Sequence, residues 1–152
     1  MIAQPTSARL IDVVREELSE NVLPKVADDP AAAGSLHMID HVLETLSRRV
    51  ANEIGWMVEE IAGLDALGAR VTAEAPAAVK TAAALDALRA VDASALDLAS
   101  VSERYSAASE VLSCAVEEVP AGAALRADVE AALDARLARE IEIIGDFQLV
   151  DR

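Results

Sequence analysis

Apolar residues recur along the second quarter of the chain at alternating spacings of three and four: Leu36, Ile39, Leu43, Leu46, Val50, Ile54, Met57 and Ile61. At 100° per residue they fall in one stripe roughly 80° wide, which predicts a single amphipathic helix with a bundle seam. Asp29 followed by Pro30 supplies its start, because the carboxylate can accept a free N–H of the first turn and proline there loses only an N–H that had no partner. Gly63 is the expected stop. The predicted helix covers about residues 30–62, roughly 50 Å at 1.5 Å per residue, with Leu43 and Val50 near the centre of its seam and hence of the expected core.

The other segments are shorter. A first helix opens at Pro5 and Thr6, carries Leu10, Val14, Leu18 and Val22 on one face, and cannot continue through Pro24. Beyond Gly63 the stretch LDALGARVTAE reads as one or two further turns bent at Gly68, and Pro76 then starts a third helix with Val79, Leu85, Leu88 and Val91. Residues 73–99 are so rich in alanine that propensity favours helix while the pattern leaves their packing open. Ser100 with Glu103 matches a capping box, predicting a fourth helix from Val101 through Tyr105, Ala108, Leu112 and Ala115 to Val119, stopped before Pro120. The last helix is expected from Ala123 to Ile144, seamed by Leu125, Val129, Leu133, Leu137, Ile141 and Ile144 and ended by Gly145. Phe147, Leu149 and Val150 in the tail are then available to fold back. The pattern therefore predicts an all-α fold: an antiparallel helical bundle of about five helices organised on one long helix, with residues 1–152 forming a single domain.

Composition sharpens this. Of 152 residues 53% are hydrophobic but only 2% aromatic, so the core must be built from alanine, leucine, valine and isoleucine. Cys114, the single cysteine, excludes an internal disulfide and a cysteine metal cage. With no basic leader and no run of 18 apolar residues, a cytoplasmic protein is expected. Thirteen basic residues against 27 acidic ones give a net charge of −14, which makes nucleic acid and anionic membranes poor partners, since both bind through clustered lysine and arginine.

Candidate chemistry is sparse. His37 and His41 are one helical turn apart and can grip one divalent metal ion from one helix, with Glu44 as a third ligand. Met38 stands where a zinc protease would carry its general base, and no second helix supplies the glutamate–histidine pair of a di-iron bundle. Both histidines lie roughly 135° and 175° round the wheel from the seam, so the bland alternative is a solvent-facing pair. Trp56, flanked by Arg49 and near Met57, is either packed by another helix or anchors a partner, as tryptophan and arginine do at interface centres. Because the shorter helices cannot cover a 50 Å seam, the part around Ile54, Met57 and Ile61 is expected to be covered by residues 64–91 or by a second copy, giving a homodimer with Trp56, Arg49 and Met57 at its interface. Cys114 has glutamates nearby and no basic neighbour, and is expected to be inert. No phosphate loop or nucleophile motif occurs.

The opening PTSARLIDVVREELSENVLP, with Pro5, Thr6, Leu10, Val14, Arg15, Leu18, Val22, Leu23 and Pro24, followed by His37 and by Arg48 or Arg49, resembles an uncharacterised bacterial all-helical family often encoded beside, or fused to, aminoglycoside-phosphotransferase-like kinases and acyl-CoA dehydrogenases. The resemblance covers the first third of the chain; the asparagine, proline, arginine and aromatic ending of that family is replaced here by GDFQLVDR. It implies an accessory role beside an enzyme and assigns no catalytic residues. The function expected from the sequence is thus that of a non-catalytic accessory or interaction protein without a cofactor, beside a partner enzyme; the alternative is a small metal-dependent or thiol-transfer enzyme on a helical bundle using His37 and His41.

Overall fold

Thr6 accepts the backbone N–H of Arg9 and Asp29 accepts those of Ala31 and Ala32, so two helices begin where the sequence places a capping side chain. The computed structural model describes residues 4–144. It contains α1 (Ser7–Glu17), α2 (Pro30–Glu74), α3 (Val79–Ala90), α4 (Leu98–Glu118) and α5 (Arg126–Ile144), with no strand among the described residues. The fold is all-α, as the pattern predicts. Gly145, Phe147, Leu149 and Val150 lie outside the described residues. Among the described residues no helix is long and apolar enough to cross a membrane.

Several boundaries differ from the sequence expectation. After Glu17 the first helix widens into a π-helical turn over Leu18–Val22 and then tightens into a 3-10 turn over Leu23–Lys25, which accommodates Pro24. Helix α2 does not stop at Gly63 but runs on to Glu74. Leu64, Leu67 and Val71 continue its apolar face and are buried; their burial, about 1.5–3 kcal/mol per side chain, outweighs the roughly 1 kcal/mol that each interior glycine costs. Nor does Gly68 interrupt the helix. It marks a close approach: a Cβ there would lie 2.7 Å from Val111 Cγ1. Helix α3 starts at Val79 rather than Pro76. Helix α4 starts three residues early because Asp97, not Ser100, is its cap, accepting both the N–H and the hydroxyl of Ser100. Helix α5 starts at Arg126 rather than Ala123.

The chain folds as two compact units. One comprises the described residues up to Glu53 with Ile141–Ile144. In it α1 lies antiparallel to the first part of α2, since Asp12 accepts from Ser47 while Arg15, a turn later, donates to Asp40. The second unit, Ile54–Glu140, holds every buried apolar residue among those described: Ile61, Leu64, Leu67 and Val71 of α2, Ala78 before α3 with Ala84, Leu85 and Leu88 on it, Val101, Ala108, Val111, Leu112, Cys114 and Ala115 of α4, then Val119, Leu125 and Val129. Here α5 runs antiparallel to α2, as the pairs Glu60–Arg136 and Arg70–Asp128 show.

The core therefore sits further along the chain than the seam pattern suggests. Val50 is 46% exposed, Ile39 and Leu46 are also exposed, and Leu43 is only half-buried. The reason is geometric. Helix α1 has 11 residues and meets α2 at Asp40, Glu44 and Ser47, a line about 100° round the wheel from Ile39, so it covers the flank of the seam and leaves its middle open.

Candidate functional site

In the first unit, His37 is exposed and His41 half-buried. Asp40, which lies between them in sequence, receives two hydrogen bonds from the Arg15 guanidinium, at 2.8 and 3.2 Å. The Arg15 hydrogen bond holds the Asp40 carboxyl below its ordinary range against the opposing effect of burial, with the nearby histidines adding to the depression. Glu44, the expected third ligand, is engaged by Arg48 at 2.5 Å and by Arg15 at 3.8 Å. To recruit Glu44 as a third ligand, a metal ion held by His37 and His41 would have to displace both guanidiniums from it. Among the described residues no three of His, Cys, Asp and Glu are grouped to hold a metal ion.

The larger feature of this unit is apolar. Ile39, Val42, Leu46 and Val50 form an exposed stripe on α2, with Val42 59% exposed; Met38 borders it, and Leu10, Val13 and Val14 are exposed on α1. Four ion pairs lie within this unit: Arg9 with Glu16, Arg15 with Asp40, Arg48 with Glu44 and Arg49 with Glu53. Glu17, one turn after Val13 and Val14 on α1, accepts a hydrogen bond from Asn21.

In the second unit, three arginines bridge a groove of about 430 Å³ between α2 and α5, floored by Gly63, Leu64, Leu67 and Ala132. Arg70 reaches Asp128 at 2.7 Å at one end. At the other, Arg136 donates to Glu60 at 2.6 Å and to Ser109 at 2.9 Å and lies 5.3 Å from the Tyr105 ring centre, while Arg139 donates to Glu59 and lies 5.4 Å from the Trp56 ring centre. Tyr105 donates its hydroxyl to Glu60; burial pushes its phenol up, against the pull of Arg136. Every arginine of the groove is thus spent on a carboxylate, which ties helices together rather than poising a reactive group. Cys114 is buried in the core, and burial followed by the charge of Glu110 raises its thiol, so the thiolate a transfer enzyme needs is disfavoured.

Of the residues expected at an interface, Trp56 is half-buried with the Arg139 guanidinium over its ring and Met57 packs against the core, whereas Arg49 is exposed and bound to Glu53. The structure brings the first two into the second unit and leaves Arg49 in the first. Residues the sequence did not single out, Val42 and the groove arginines, carry the more distinctive surface. No protein family, curated protein or solved structure matches this chain.

Proposed function

We propose that this chain is a non-catalytic helical interaction protein that engages another helical surface through the apolar strip of its first unit. The observation that supports the reading is the strip itself: four large aliphatic side chains at helical spacing on α2, left open beside α1, on a chain of net charge −14. A contiguous exposed apolar patch of several hundred Å² marks an interaction site. An accessory role in the cytoplasm beside a kinase-like or acyl-CoA-related enzyme, as the resemblance of the first third implies, is one form of this reading, with the enzyme's own helix as the strip's complement.

The test uses the strip's exposure, which lets charge be introduced without touching the core. Wild-type protein and a Val42→Glu, Leu46→Glu double variant serve as bait in an extract of the source organism, with circular dichroism checking that both are equally helical. The expected result is at least one polypeptide retained by the wild type and lost by the variant. Identical captured sets would refute the reading.

A further inference from the structure

We propose that the occupant of this strip is a second copy of the same chain, paired about a twofold axis passing between Val42 and Leu46; this rests on the interaction reading above and names its partner. Area comes first. The α2 side chains Met38, Ile39, Val42, Leu46 and Val50, each about half exposed, present roughly 450 Å² of surface, and Leu10, Val13 and Val14 on α1 bring the total to roughly 700 Å². A standard interface buries about 800 Å² per partner with an apolar core near 65%, so about 520 Å² of apolar surface per copy is required. The α2 strip alone comes close, and the α1 flank supplies the rest.

Charge then decides between partners. A partner chosen for basic or acidic side chains would need unsatisfied charge beside the strip. On α2, Glu53 at the end of the strip is held by Arg49, and Asp40 and Glu44, further round the helix, are held by arginines of their own chain; on α1, Arg9 is held by Glu16 and Glu17 accepts from Asn21. The surface that such a strip matches is one apolar at its centre with paired charge along its helix, and the same strip on another copy is such a surface. Its geometry is also self-complementary: Ile39, Val42, Leu46 and Val50 span an arc of about 80°, and Val42 of one copy meets Leu46 of the other when two strips pair across that twofold axis. What opposes pairing is diffuse repulsion. Residues 4–53 carry nine acidic and five basic residues, a net −4 of the chain's −14, and screening reduces that cost.

Sedimentation equilibrium at tens of micromolar should give twice the 15.9 kDa chain mass, with association tightening several-fold as salt is raised from about 0.1 to about 0.5 M. The Val42→Glu, Leu46→Glu variant should sediment as a monomer of unchanged helicity. In a Cys114→Ala background, Leu46→Cys should be cross-linked between copies by a short bismaleimide, whereas Val79→Cys, highly exposed on α3, should not. A wild-type monomer, a dimer that dissociates as salt is added, a double variant that remains dimeric, or a Leu46→Cys protein that fails to cross-link would each overturn the second-copy assignment. A monomer that still captures a polypeptide lost by the double variant would leave the interaction reading standing with a different partner; a monomer that captures none would refute both.

Discussion

Gly63 and Gly68 are both interior to α2, yet a methyl group added to each would have opposite effects. Around Gly63 nothing lies within 4 Å of a built Cβ, whereas at Gly68 it would meet Val111 Cγ1 at 2.7 Å and Leu85 Cδ1 at 3.2 Å. Val111 is completely buried and branched at Cβ, so it cannot swing aside. Gly63→Ala should therefore stabilise the protein by about 0.5–1 kcal/mol through the entropy of the unfolded chain and better helix propensity. Gly68→Ala gains the same propensity but overpacks the core, and a net loss of about 1–2 kcal/mol is expected. Urea titrations of the two variants check the pair of signs, and a stabilised Gly68→Ala protein would mean that α2 and α4 do not approach as closely as described.

At the scale of elements, α3 is capped from outside. Its N-cap residue, Ala78, has no side chain to offer, and Glu118 at the end of α4 instead accepts the backbone N–H groups of Lys80 and Thr81 and the Thr81 hydroxyl, at 2.8–3.0 Å. Desolvation raises the Glu118 carboxyl, but these hydrogen bonds outweigh it and hold the group below its ordinary 4.5. A carboxyl depressed on folding contributes stability above its unfolded value and loses it as pH falls through the folded one. Glu118→Gln should accordingly be less stable than wild type at neutral pH, and the gap between their denaturant midpoints should close as the pH is taken below 4.5. A gap independent of pH would show that the bonds do not depend on the ionised form. Such a cap, 37 residues away in sequence, has no local signal. The same holds for the groove, whose arginine–carboxylate pairs are separated by 58, 76 and 80 residues. What periodicity does make legible is the existence of five helices, because apolar spacing and proline breaks are local. It also identified α2's apolar stripe, but whether a stripe is covered depends on where other helices land, so Leu43 and Val50 read as core while the buried seam begins at Ile61. The pattern leaves the packing of the alanine-rich stretch open: Ala78 and Ala84, like Ala108 and Ala115 of α4, are buried because small side chains let helices approach closely, a property that a pattern of large residues does not register.

For the whole molecule, this distribution of burial implies two levels of stability along one chain. Among the described residues all the buried ones lie between Ile61 and Val129, and α1 has none. Backbone amides exchange with solvent through the least costly opening that exposes them, and segments with few buried contacts open locally while core helices wait for global unfolding. Amides of α1 and of α2 before Glu53 should therefore exchange orders of magnitude faster in an isolated chain than those of residues 64–71 or 108–115. Pairing through the apolar strip would change the first set and not the second, because binding stabilises only what it covers, by an amount that grows with the ratio of free partner to the dissociation constant. Hydrogen exchange followed by mass spectrometry at two protein concentrations, one below and one well above the association range found by sedimentation, separates these contributions. The expected outcome is concentration-dependent slowing confined to α1 and residues 36–53, with the core peptides unchanged and the Val42→Glu, Leu46→Glu variant showing the fast pattern at both concentrations. Uniform protection from α1 through α4 at the lower concentration would mean that the first unit needs no partner to be stable.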